Sequence, residues 1–130
     1  MADHPDVALI RRGYDAFQRG DMDTINEIFA DDIEWTIPGR SQLAGVRKGK
    51  AEVFDFLGQL MERSGGTFSL EVSDVLGNDD HVVAITRESA GDASKGFSVR
   101  GVHVWTVKDG HAASFEGLTD DPYAEDDYWG

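Results

Sequence analysis

The sequence predicts an α+β fold in which helices come first and strands follow. Apolar residues recur at three- and four-residue spacing in the first half, as in amphipathic helices. In the second half they alternate between short turns, as in strands with one buried face, and such turns require successive strands to be antiparallel. We therefore expect three N-terminal helices with one early strand, then a four-strand meander, in a single domain over residues 1–130. The strands should form one antiparallel sheet with the helices gathered on one of its faces.

The first half is divided by breaker residues. Its predicted segments are a helix from Asp6 to Gly20, a short helix from Asp23, a strand over 33–37, a loop over 45–49 and a helix over 50–63. Asp3 or Asp6 is the expected N-cap of the first helix. Pro38-Gly39 ends the strand.

The second half has the two-residue period of strands. The four predicted strands cover 67–76, 81–89, 97–107 and 112–119, separated by turns rich in Gly, Asn and Asp. Acids then alternate with aromatic residues over 120–130. We expect the aromatics of this tail to pack on the body while its acids face water.

Composition excludes several classes of function. With 25 Asp+Glu against 12 Lys+Arg the net charge is -13, so nucleic acid and membrane surfaces are not expected partners. There is no cysteine, which excludes disulfides and thiolate chemistry. The four histidines are scattered without HxH or HExxH spacing and no GxGxxG or P-loop occurs, so we expect no metal and no cofactor. A polar, acidic start and no long apolar run predict a cytoplasmic protein.

Several short segments of the sequence match a known protein family in both order and spacing. They are 14–21 (YDAFQRGD), 29–32 (FADD), 35–39 (WTIPG), Gly45, Gly49, 102–110 (VHVWTVKDG) and 119–124 (TDDPYA). Together they resemble the SnoaL-like, ketosteroid-isomerase-like branch of the nuclear transport factor 2-like superfamily. The resemblance implies a curved sheet wrapped around a long helix, forming a cone whose mouth holds an apolar ligand pocket, and a homodimer.

The catalytic residues of ketosteroid isomerases do not carry over. The family's base falls on Ile37, its tyrosine on Gly13 with Tyr14 one position away, and its oxyanion acid on His103. Classical ketosteroid isomerase chemistry is therefore disfavoured, and the reaction remains open among isomerase, cyclase and lyase types, if there is turnover at all.

His103 is the main catalytic candidate. The resemblance turns its strand face toward the cone interior, where an imidazole could act as a general base, a general acid or a hydrogen-bond donor, or could be an ordinary buried histidine. Arg87 and Glu88 are adjacent on a strand with two apolar faces, so either could point inward. Arg87 is the preferred second catalytic residue because, beside a pocket histidine, it would form an anion site.

The remaining site candidates form the pocket wall, for which core packing is the alternative. They are Tyr14, Trp35, Ile37, Phe56, Met61, Gly101, Trp105 and Phe115. Gly101 is included because it leaves space beside the imidazole.

Two functions remain open. The protein binds a small apolar or aromatic carbonyl-bearing molecule and catalyses proton transfer, or it is a binding module without turnover. Val102 and Val104 lie on the strand face opposite His103, where a solvent-exposed sheet would be polar, and they predict a homodimer through that outer face.

Overall fold

Over residues 4–130, which the computed structural model describes, the chain forms four helices and six strands. In chain order they are α1 (Pro5–Arg19), α2 (Met22–Ile28), β1 (Phe29–Ile37), β2 (Gly45–Lys48), α3 (Lys50–Arg63), β3 (Ser69–Gly77), β4 (Val82–Gly91), β5 (Gly96–Lys108), β6 (His111–Thr119) and α4 (Pro122–Trp129). The strands form one curved, unclosed sheet in the order β2-β1-β6-β5-β4-β3. The predicted α+β class is confirmed.

The first helix begins and ends on local signals. Pro5 occupies its first turn, where a missing N–H costs nothing, and the Nδ1 atom of His4 accepts the backbone N–H of Asp6 at 3.1 Å. Gly20 ends the helix with φ +70°, a left-handed conformation that suits glycine. The cap is thus His4 and not Asp6, which lies inside the first turn, while Asp3 lies outside the described residues.

The sequence predicts an antiparallel sheet, but the observed sheet is mixed. The meander β3-β4-β5-β6 is confirmed, each pair being antiparallel. However, β1 lies parallel to β6, with Trp35 opposite Phe115. Turn lengths constrain only strands that follow one another, so they could not reveal this long-range pairing. The predicted loop over 45–49 is also wrong, because residues 45–48 form β2 on the free edge of β1.

The C-terminal segment forms a helix against the sheet. Trp129 is buried, and its ring centroid lies 5.8 Å from that of Phe97 on β5. The tail prediction is partly wrong, because Tyr123 is 79% exposed whereas the acids Glu125 and Asp126 turn toward the body. The 3.6-residue period of a helix, unlike strict alternation, places neighbouring acids on the inner side.

None of the helices in the described part of the chain is long and apolar enough to span a membrane.

Candidate ligand site

A cavity of about 120 Å³ lies between the inner face of the sheet and the helices. Residues of all four helices and of β1, β3, β4, β5 and β6 line it, and most of the wall is apolar. The titratable side chains in the wall are Tyr14, Glu88, His103, Glu125 and Asp126. Apolar walls with a few convergent polar groups are typical of small-molecule sites.

Most of the predicted pocket wall is where the sequence places it. The predicted residues that line the cavity are Tyr14, Trp35, Ile37, Phe56, Trp105 and Phe115. Trp35 stacks on Phe115 with a centroid separation of 3.9 Å and meets Trp105 edge to face at 5.5 Å. These rings hold one another in fixed orientations, so they offer a rigid aromatic surface. Whether they bind a ligand stays a prediction.

Two predicted wall residues are misplaced. Met61 is 41% exposed, because Leu57 and Leu60 carry the buried face of α3 and Met61 lies beyond that face. Gly101 is buried but leaves no room for a ligand. A Cβ there would lie 2.8 Å from the Thr86 hydroxyl and 3.0 Å from the carbonyl oxygen of Leu118, so the neighbouring strands already fill that space.

A chain of hydrogen bonds crosses the cavity wall from α1 to β4. The Trp105 indole N–H donates to the Tyr14 hydroxyl oxygen at 2.9 Å. The Tyr14 oxygen lies 2.6 Å from Nδ1 of His103, and Nε2 of His103 contacts the carboxylate of Glu88. His103 is buried, as predicted for its strand face. Because Nδ1 contacts Tyr14 and Nε2 contacts Glu88, both ring nitrogens of His103 have protein partners.

The positions of the protons in this hydrogen-bond network follow from which groups can donate and which can accept. With the Tyr14 oxygen accepting from Trp105, the Tyr14 proton is free to be donated to Nδ1 of His103. The proton of a neutral imidazole then sits on Nε2, which donates to the Glu88 carboxylate. Burial raises the pKa of the Tyr14 hydroxyl above its ordinary value, the Trp105 hydrogen bond opposes this, and the charge of Glu88 adds to the rise. Tyr14 thus stays a protonated donor.

Glu88, and not Arg87, enters the site. On β4 every second side chain faces inward: Val82, Ala84, Thr86 and Ala90 are buried, and Glu88 lies in the same alternation and lines the cavity. Arg87 projects from the opposite, exposed face, where its guanidinium donates to the Ser98 hydroxyl at 3.1 Å. The preference for Arg87 is therefore wrong. The strand is apolar on both faces, so alternation alone could not choose between them.

Sequence reasoning missed Glu125 as a site residue. It lies on α4 and lines the cavity together with Glu88. Burial and then the negative charges of Glu88, Asp126 and Asp121 raise its pKa to about 7. The acidic composition of the tail concealed it, because a run of carboxylates normally marks a solvated segment.

The comparisons with known proteins agree with this architecture. The family model of the SnoaL-like domain matches residues 10–115, which is most of the chain. The chain belongs to the SnoaL-like family. The predicted superfamily is thereby confirmed, and the family suggests binding of a small ligand.

Relatives of this SnoaL-like chain match it over nearly its whole length. An uncharacterized protein of Mycobacterium tuberculosis (strain ATCC 25618 / H37Rv) is 35% identical over 130 residues, 99% of either chain. The structure of Bal32a, from a soil-derived mobile gene cassette, is 35% identical with a TM-score of 0.92 and 97% coverage of both chains. The structure of TerC co-crystallized with polyporic acid is 26% identical with a TM-score of 0.78, covering 90% of this chain and 92% of TerC.

Proposed function

We propose that this protein binds a small apolar or aromatic carbonyl-bearing molecule in the cavity and moves a proton on it, with Glu88 as the proton acceptor. The observation that carries the proposal is the arrangement of Glu88 and His103. One Glu88 oxygen contacts Nε2 of His103, and within residues 4–130 the other has no hydrogen-bond partner. Glu88 therefore presents a basic atom to the cavity, whereas both nitrogens of His103 are already engaged.

In this reading His103 is a positioning residue for Glu88. Its N–H holds one carboxylate oxygen, and Tyr14 fixes the ring from the other side. These contacts fix the orientation of the Glu88 carboxylate relative to the cavity. Anchoring by packed neighbours also keeps a catalytic group within the narrow range of geometries that proton transfer requires.

The size of the cavity sets the scale of the ligand. An apolar cavity of about 150 Å³ is known to bind benzene. The cavity here, at about 120 Å³, holds roughly one aromatic ring, so the bulk of a larger molecule would extend through the mouth. TerC, whose structure is similar to this one, was co-crystallized with polyporic acid, which supports the binding of a small organic molecule by this protein.

A binding module without turnover is the second candidate. It is favoured by Ile37, which occupies the position of the ketosteroid isomerase base, lines the cavity and cannot exchange a proton. If Glu88 serves only to hold the buried His103, the site binds its ligand and does no chemistry.

Hydrogen–deuterium exchange separates the two candidates. We expect the protein to accelerate deuterium exchange at the carbon next to the carbonyl of phenyl-substituted ketones such as phenylacetone in D₂O, as measured by NMR. Glu88→Gln keeps the shape of the side chain but should lose the acceleration, while the control Glu116→Gln, an exposed residue of β6, should keep it. Ketone binding without exchange would support the binding module. Full exchange by Glu88→Gln would contradict the assignment of the base.

The homodimer also remains part of the proposal. On the outer sheet face Ile85 is 43% exposed and lies opposite Val102, and Val104 lies opposite Val83. An apolar stripe on a sheet face that would otherwise be solvated supports pairing with a second copy of this chain. The cysteine-free, acidic composition supports a cytoplasmic location.

A further inference from the structure

Glu125 is a second cavity carboxyl, held by its neighbours on α4. The Asp126 carboxylate accepts the backbone N–H groups of Arg40 and Ser41 at 2.9 and 3.0 Å. The backbone N–H of Gln42 also donates to the carbonyl oxygen of Gly130 at 2.9 Å. Helix α4 is thereby tied to the 40–42 loop, so Glu125 occupies a fixed place in the cavity wall.

The groups around Glu125 are almost all negative. Glu88 on β4 and Asp126 and Asp121 on α4 repel its charge, and no Lys or Arg side chain lines the cavity in the described part of the chain. On β5, the strand packed against α4, His103 is engaged with Glu88. Arg100 on β5 pairs with Asp120, its Nε atom lying 3.6 Å from the Asp120 carboxylate. In the 40–42 loop, the backbone N–H groups of Arg40 and Ser41 donate to Asp126 and that of Gln42 donates to the carbonyl oxygen of Gly130, so these three N–H groups are used elsewhere.

A buried donor in the same wall also lacks an acceptor. The indole N–H of Trp35 has no hydrogen-bond partner within residues 4–130, although the residue is only 6% exposed and lines the cavity. Buried donors are normally satisfied, and one left alone needs an explanation. An acceptor brought by a ligand is an explanation that agrees with the site.

We propose that the protonated carboxyl of Glu125 is the hydrogen-bond donor with which the cavity selects a neutral acceptor such as a carbonyl oxygen, and that the same cavity rejects carboxylates. The inference rests on the proposed function and deepens it, since it names the group that recognises the carbonyl. A carboxylate ligand would meet Glu88 and Glu125 with no cation to offset the repulsion. A neutral carbonyl accepts the proton of Glu125 and adds no charge.

Binding should then depend on pH with a defined sign. Only the protonated form of Glu125 donates, and its pKa is about 7, so affinity falls as the pH rises through that value. If ionised Glu125 does not bind the carbonyl, the dissociation constant increases about thirtyfold between roughly pH 5.5 and roughly pH 8.5.

The test compares three probes of the same size: acetophenone, benzoate and benzylamine. Their dissociation constants are measured by NMR titration or calorimetry across that pH range, for the wild type, Glu125→Gln and Asp127→Asn. The Gln amide donates at every pH, so Glu125→Gln should bind acetophenone with an affinity that is nearly independent of pH. Asp127 is exposed on the same helix, and Asp127→Asn, which removes the same charge, should keep the wild-type profile. Benzoate should bind far more weakly than acetophenone throughout.

The outcomes separate this inference from the proposed function. Acetophenone binding that is independent of pH in the wild type, or a pH profile unchanged in Glu125→Gln, would overturn the role of Glu125 alone. Two results would overturn the selection of a neutral acceptor. One is that benzoate binds as tightly as acetophenone. The other is that benzylamine binds more tightly as the pH rises and reaches a higher affinity than acetophenone. The proposed function itself fails if neither acetophenone nor phenylacetone binds to the wild type at any pH.

Discussion

The raised pKa of Glu125 predicts that Glu125→Gln stabilises the folded protein, and only above acidic pH. A carboxyl whose pKa rises from 4.5 to about 7 on folding binds its proton more tightly in the folded state. The wild type therefore has its full stability below about pH 4.5 and loses this contribution as the pH rises through about 7. Glutamine carries no charge, so the variant does not incur that loss.

The magnitude follows from the same pKa. A rise from 4.5 to about 7 corresponds to about 3 kcal/mol, which is an upper limit. Glu125 is only partly buried, and water reaching the carboxylate reduces the effect, so we expect about 1 to 2 kcal/mol. For 130 residues this corresponds to an increase of about 4–8 °C in the melting temperature.

The assay is thermal unfolding followed by circular dichroism at intervals from about pH 4 to pH 8. The difference in melting temperature between Glu125→Gln and the wild type should grow from the acidic end and level off above about pH 7.5. The control Asp127→Asn should show a difference that does not change with pH in this way. A Glu125→Gln difference that is constant across the range, or that shrinks as the pH rises, would refute the raised pKa.

Two further predictions concern assembly and the C-terminal helix. Val104→Asp should convert the expected dimer to a folded monomer. The mass in light scattering should be halved, while the circular dichroism spectrum stays unchanged. A wild type that is already monomeric at micromolar concentration would contradict the outer-face interface. Trp129→Ala removes a buried ring that packs on Phe97 and should cost about 3–5 kcal/mol in chemical denaturation. It should also weaken ketone binding, because α4 carries Glu125; unaltered binding would show that α4 does not form the site.

The fold could be predicted where local signals are strong. Helix α3 was placed correctly at 50–63 because its apolar residues keep the helical period. The turn signals likewise gave the meander. The parallel pairing of β1 with β6 joins residues about 80 positions apart, as Trp35 and Phe115 show, and no local pattern records such a partner.

The site could be predicted only where one strand face differs clearly from the other. On β5 the alternation sends His103 and Trp105 inward and leaves Val102 and Val104 on the outside, and the structure agrees. On β4 the sequence is apolar on both faces, and only a chemical argument, an anion site beside a histidine, favours Arg87. The register of the strand, which decides which side chain faces inward, places Glu88 there. A shift of one residue along a strand exchanges the two faces, so such a choice needs the structure.

The presence of Glu88 in the cavity, where Arg87 was expected, gives the site the opposite electrostatic character. With an arginine in the cavity, a bound enolate or carboxylate would be stabilised by a full positive charge. In the proposed function, the cavity lined by Glu88 and Glu125 repels anions, and developing negative charge on a ligand oxygen is stabilised by neutral donors. We propose Glu125 as such a donor, because burial and then the charges of Glu88 and the α4 acids raise its pKa to about 7. The two carboxyls have different surroundings, since Glu88 contacts His103 whereas Glu125 is surrounded by acids. In the proposed function this difference lets a pair of identical groups serve opposite roles, with Glu88 accepting a proton and Glu125 donating one.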